Sequence, residues 1–231
     1  MIPSATATSS SRSARPSSSI PKGAISMAET VTSWAPRGAW AGIAQPGSFG
    51  SQGEAGIVVT RLEGFGLASV IAAPGGSAAL SRIFEARLGL ALPTAPRIVR
   101  AAAHDAIWAG PDQWMLRAAL RDGFAGLLDE LSAHAAVSDQ SDARAMLRLA
   151  GPRVRDVLAK GVMLDLHPAT FAVGDVALTN VAYVGVHLWR LEDTSEGPAF
   201  EITVPRSMAG SFWSWLVASA SEFGCRVESR G

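Results

Sequence analysis

One cysteine, Cys225, stands in 231 residues. That excludes an intrachain disulfide framework and any zinc site built on paired cysteines. Charge of one sign is not in excess: 20 basic side chains face 20 acidic ones. A nucleic-acid binder needs surplus Lys and Arg to neutralise phosphates, so the composition argues against that class. The same balance leaves little repulsion between free copies, which favours a place inside an assembly. No apolar run approaches the roughly 18 residues of a membrane-spanning helix. No G-x-G-x-x-G lies between a strand and a helix, and no G-x-x-x-x-G-K-[ST] occurs, so neither nucleotide fingerprint is present. The four histidines, His104, His134, His167 and His187, are scattered. None is i, i+4 from another, and none pairs with Cys225 in a nucleophile pattern.

What is present is core material. Hydrophobic residues make up 48% and charged ones 17%, enough to bury a sizeable interior. Residues 1–26 differ from the rest: they are crowded with serine and carry Arg12, Arg15 and Lys22. Such a segment cannot offset its chain entropy by burial and is expected to be disordered. Its composition resembles an organellar transit peptide. The plainer reading, preferred here, is an extension ahead of a start at Met27, and the protein is expected in the cytoplasm. Residues 35–56 are rich in Gly and Pro and are expected to be irregular. Residues 1–54 as a whole thus read as a disordered or irregular extension, and 55–231 as the folded domain. Trp34 and Trp40 stand out in the extension as residues that dock, either on this domain or on a partner.

Strand and helix signals alternate from Phe65 onward. Residues 65–73 are β-prone, and PGG at 74–76 opens a helix over 77–88. There Leu80, Ile83, Phe84 and Leu88 form one apolar stripe, and Gly89 follows as its left-handed cap. Strands are predicted at 97–102, 106–109 and 114–119, with GPDQ at 110–113 as the hairpin turn. A helix carrying Phe124, Leu127, Leu128 and Leu131 leads to a strand at 135–139. The order then recurs. A strand at 144–150 precedes a helix at 151–160, and a long extended stretch at 176–193 is expected to bend at Gly185. A return strand carries Phe200, Ile202 and Val204. Ser207 reads as the N-cap of a last helix at 208–223, before a strand at 225–229. The expected fold class is α+β: two ferredoxin-like β-α-β-β-α-β repeats, about 60–140 and 141–231, forming one body.

Catalytic signals are sparse. His104 and Asp105 are placed in a solvated turn. Arg148, Arg153 and Arg155 read as a solvated basic face that pairs with Asp156 or with a partner's acids. PGGS at 74–77 is a plain helix start as readily as an anion site. On the last helix Met208, Phe212, Trp215, Leu216, Ser219 and Phe223 share one side, while Trp213 lies roughly 110° from the stripe's centre. Trp213 therefore packs at the core's edge or anchors a protein interface. With Trp34 and Trp40 it completes the candidate interface set. No catalytic, cofactor-binding or metal residue is assigned.

Four stretches together carry a family resemblance: GPDQWML at 110–116, RLAGPRVRDVLAKG at 148–161 with LDLHPATF at 164–171, HLWRLED at 187–193, and VPRSMAGSFWSWL at 204–216. In this order they resemble the gamma subunit family of bacterial heterotetrameric sarcosine oxidases, over roughly residues 60–220. One departure is Val162, where the family pattern leads one to expect a cysteine. The resemblance implies a fold related to the folate-binding module of the glycine cleavage T-protein. It implies a complex that oxidatively demethylates sarcosine to glycine, forming hydrogen peroxide and passing the one-carbon unit to tetrahydrofolate or releasing formaldehyde. It implies alpha, beta and delta partner subunits that hold FAD, FMN, NAD and tetrahydrofolate, and no cofactor on this chain. T-proteins carry an Asp-Asp pair before the hairpin and Asn-Ala-Ala after it. The matching stretches here read His104-Asp105 and Arg117-Ala118-Ala119, so the first acid and the Asn are missing. A stand-alone folate-binding protein is the alternative, and an enzyme using Asp105 or His104 as acid or base is a third reading.

Overall fold

The computed structural model describes residues 37–229. Trp34, Met27 and the expected disordered tail lie outside the described residues. The chain runs β1 (Gly47–Phe49), β2 (Ile57–Leu62), β3 (Gly66–Ala72), α1 (Ser77–Leu88), β4 (Ile98–Arg100), β5 (His104–Gly110), β6 (Gln113–Ala118) and α2 (Phe124–Ser132). It continues β7 (Ala135–Asp139), β8 (Arg144–Ala150), α3 (Val154–Ala159), β9 (Val176–Val181), β10 (Val184–Thr194), β11 (Gly197–Pro205), α4 (Ala209–Ala220) and β12 (Cys225–Ser229).

Two sheets result. One has the order β4-β5-β6-β3-β7, and the other β1-β12-β2-β8-β11-β10-β9. The parallel pair β12·β2 stands among antiparallel ones. Strand alternation assigns each side chain to a layer. On β6, Trp114, Leu116 and Ala118 join a core with Leu80 and Phe84 of α1 and Phe124 and Leu128 of α2. On β8, Ala145, Leu147 and Leu149 join a core with Val157 of α3 and Phe212 and Leu216 of α4. The opposite strand faces supply Leu67, Ile107 and Met115 from the small sheet and Met146, Trp189 and Ala199 from the large one, in a third core between the sheets. The layers are therefore helices, sheet, sheet, helices.

Several expected elements stand as read: the helix at 77–88 with Gly89 left-handed at φ 67°, and the strands Ala135–Asp139, Arg144–Ala150 and Cys225–Ser229. Others need correction. β2 is a strand that the sequence reading leaves unassigned, parted from β3 by a turn at Gly64, left-handed at φ 74°. It leaves its sequence neighbours and inserts between β8 and β12 of the large sheet, a long-range choice invisible to local pattern. The stretch at 176–193 is two strands, not one bent at Gly185. The chain reverses at Ala182 and Tyr183, both left-handed at φ 47° and 68°, while Gly185 pairs with Asn180 inside the ladder. Ser207 caps nothing. It sits within a 3-10 turn, Arg206–Met208, and α4 begins from Met208 without a side-chain cap bond.

Residues 37–54 are mostly turns, as expected, but they are docked. Trp40 is fully buried, and its indole N–H donates to the Met146 carbonyl at 2.9 Å. β1 pairs with β12, and Ser51 N–H bonds the Ser221 carbonyl at 2.8 Å. Gly50, at φ 83°, sits where an added Cβ would lie 2.2 Å from the Ser221 carbonyl oxygen, so only glycine allows this approach.

The Ala182–Tyr183 turn yields a prediction. Two-residue hairpins of this hand favour Asn-Gly, and an alanine or larger residue at left-handed φ costs about 1–2 kcal/mol. Tyr183 is 100% exposed, so removing its ring forfeits no packing. The double variant A182N/Y183G is expected to raise the unfolding free energy by about 1–2 kcal/mol. A urea midpoint that falls instead would refute the strain assignment.

Candidate functional site

Register builds the site. The β5·β6 hairpin sets Asp105 directly opposite Arg117, and β8·β11 sets Arg148 directly opposite Glu201. In both pairs alternation turns the charged side chains away from the helices and into the space between the sheets. There the two pairs meet. Arg117 Nη1 donates to Glu201 Oε2 at 2.7 Å, and Arg148 Nη2 and Nε donate to Glu201 Oε1 at 2.7 and 3.1 Å. The Trp189 indole N–H adds a bond to Glu201 Oε2 at 3.0 Å. Arg117 Nη2 pairs with Asp105 Oδ2, and Arg100 Nε reaches Asp105 Oδ1 at 3.2 Å. The result is an unbranched row of alternating charge: Arg100, Asp105, Arg117, Glu201, Arg148.

Glu201 is fully buried and Asp105 is 4% exposed. Burial pushes the Glu201 carboxyl up, but the Arg117 and Arg148 guanidiniums outweigh it and hold the group below its ordinary value. A cavity of about 480 Å³ opens beside the row, lined by Arg100, Arg117, Arg148 and Glu201 and by Leu62, Phe65 and Met146 among others.

Two expectations are corrected by these contacts. Asp105 is not in a solvated turn; it lies on β5, buried and doubly paired. Arg148 does not share a solvated basic face with Arg153 and Arg155. It points between the sheets, whereas Arg153 pairs with Asp156 at 2.6 Å and Arg155 Nε bonds the Leu166 carbonyl at 3.0 Å. Glu201 escaped the sequence reading altogether. The available signal was a lone acid in the otherwise apolar alternation of AFEITVP, on the face opposite Phe200 and Ile202.

The remaining candidates stay apart. His104 opens β5 beside Leu88, Phe124 and Leu127, and burial lowers its pKa despite Asp105 alongside. Cys225 is buried, and burial pushes its thiol up to about 12, the reverse of what a nucleophile needs. Trp40 is held inside this chain and so cannot itself meet a partner. Trp213 is half-buried, 6.2 Å from the Trp40 ring and 6.4 Å from the Phe49 ring. Trp34 lies outside the described residues. Among the described residues no cluster of metal-ligating side chains occurs, and no helix is long and apolar enough to cross a membrane.

Comparison with known proteins decides the family. The profile of the sarcosine oxidase gamma subunit family matches residues 71–222. The chain belongs to this family. A sarcosine oxidase subunit gamma of Corynebacterium sp. (strain U-96) is 35% identical over 121 residues, 51% of this chain and 56% of that relative. The chain thus spans little more than half of this relative's length. Among solved structures, heterotetrameric sarcosine oxidase from Corynebacterium sp. U-96, in complex with pyrrole 2-carboxylate, aligns with TM-score 0.63 and 28% identity, over 74% of this chain and 87% of that one. The glycine cleavage aminomethyltransferase T of Bartonella henselae aligns with TM-score 0.51 and 17% identity, over 77% of this chain and 48% of that one. This last likeness is one of fold alone. In this chain both Asp105 oxygens are committed to arginines.

Proposed function

We propose that this chain is a structural, non-flavin gamma subunit of a heterotetrameric sarcosine oxidase in the cytoplasm. The complex would demethylate sarcosine oxidatively to glycine, with hydrogen peroxide and methylene-tetrahydrofolate or formaldehyde as products. FAD, FMN, NAD and tetrahydrofolate would sit on the alpha, beta and delta partners. The observation that carries this reading is the row of ion pairs. A carboxylate acts as base or polarising group only when an oxygen is free to take a proton or a ligand donor. Asp105 and Glu201 each have both oxygens occupied by arginine or indole N–H groups. Tetrahydrofolate held through Asp105 does not fit that arrangement.

The two halves also read as copies of one unit. The small sheet has β5-β6-β3-β7 where the large one has β10-β11-β8, then the inserted β2, then β12. Taken in chain order, α1 lies between β3 and β5 and α2 between β6 and β7, as α3 lies between β8 and β10 and α4 between β11 and β12, the ferredoxin-like connection. Trp213, half-exposed beside Trp40, remains our proposed contact with a partner subunit.

Co-expression with the three partner subunits tests the proposal. The expected result is one complex bearing the flavins, while the isolated chain is colourless and does not consume sarcosine. Trp213→Ala is expected to weaken recovery of the complex several-fold. Micromolar binding of tetrahydrofolate by the isolated chain would instead support a folate-binding protein.

A further inference from the structure

The charge row between the sheets begins and ends with arginine. Three guanidiniums against two carboxylates leave one positive charge along the cavity wall, with the Arg148 side chain 24% and the Arg100 side chain 48% exposed, so both end arginines are open to a solute that enters the cavity. The donors are also unequally used. Arg117 has both terminal nitrogens engaged, Nη1 on Glu201 and Met146 Sδ and Nη2 on Asp105. Arg148 bonds Glu201 through Nε and Nη2, which leaves Nη1 without a partner among the described residues. Arg100 bonds Asp105 through Nε, which leaves both its terminal nitrogens without one. Both end arginines line the same cavity of about 480 Å³. The other charged group on its wall, Glu63, is exposed and directs its carboxylate at Gly38, where an added Cβ would lie 2.1 Å from Oε1.

We propose that this cavity binds a small organic carboxylate with an apolar body, its oxygens taken by Arg100 and Arg148 and its body lying against Leu62, Phe65 and Met146. One carboxylate cancels the surplus charge. A phosphate, at about −1.5 to −2, would overshoot it. Guanidinium donors match the planar carboxylate. The volume is that of a small-molecule pocket rather than of a single ordered water.

Benzoate is the probe and benzamide its neutral control, each titrated into the full chain and followed by calorimetry. Arg100→Gln is the test variant, because Asp105 keeps Arg117 as its partner and the fold is expected to survive, as read by circular dichroism. Saturable benzoate binding in the millimolar range is expected, with benzamide inert. Arg100→Gln should weaken benzoate about tenfold, consistent with loss of a charge-assisted contact, and Arg100→Lys should fall between. Absence of saturable benzoate binding at tens of millimolar overturns the proposal. So does equal binding of benzamide, or unchanged affinity in Arg100→Gln. None of these outcomes bears on membership of an oxidase complex, which is read separately by co-purification.

Discussion

Glu201→Ala is expected to lower the unfolding free energy by about 3–5 kcal/mol, the loss typical of removing one partner from a buried ion pair. Three donors would lose their acceptor: the Arg117 and Arg148 guanidiniums, 12% and 24% exposed, and the Trp189 indole N–H. The two arginines would then repel each other with no anion between them. Glu201→Gln keeps an acceptor and the side-chain shape, so its loss should be smaller. Urea unfolding at neutral pH gives both values, and a Glu201→Ala midpoint within error of the parent would show that the row contributes nothing. The pH dependence carries a sign. The folded-state pKa of Glu201 is depressed below its ordinary 4.5. Its stabilisation is therefore fully present above the unfolded value and is lost as pH falls through the lower folded one. Glu201→Gln should remove that part of the acid sensitivity.

His187 dominates a different window. Its side chain stands on β10 opposite Thr203, and neither ring nitrogen, nor the Thr203 hydroxyl, finds a hydrogen-bond partner. Burial first, and Arg144 second, lower its pKa to about 4. Protonation of the unfolded chain begins near 6.5, so between pH 6.5 and about 4 the unfolded state binds more protons. Stability then declines as pH falls, by about 3 kcal/mol across the window. His187→Leu removes the titration and two orphaned polar atoms. Its unfolding free energy should fall less than the parent's from pH 7 to pH 5, the remaining loss coming from His104, whose pKa burial also lowers. A parent curve that is flat over that range would mean the imidazole is not held neutral. The two windows are distinct, which lets the His187 and Glu201 effects be separated in one pH series.

Much of the local structure was legible because its causes are local. Apolar spacing at i, i+3, i+4 defines α1 and α2. Alternation defines β8, and a glycine free of Cβ strain ends α1 at Gly89. Where the local signal was absent the reading slipped. Ala182–Tyr183 holds none of the usual turn residues, so one strand was expected where two stand, and Ser207 looked like a cap although the chain enters α4 through a 3-10 turn. Residues 37–54 contain no periodic pattern, yet Trp40 and Gly50 dock them onto α4 and β8 through contacts more than a hundred residues away in sequence.

The same division holds for the site. Composition and pattern alone supply a charge-balanced chain with one cysteine, an α+β order with the positions of most elements, and the four motif stretches that point to the gamma subunit family. That Asp105, Arg117, Arg148 and Glu201 form one row follows from how the two sheets stack. Strand register places each charge opposite its partner within a sheet, but the bond from Arg117 to Glu201 crosses between sheets 84 residues apart. No periodicity encodes that separation. It exists because two apolar faces stack, exclude water, and force the charges they carry to find one another.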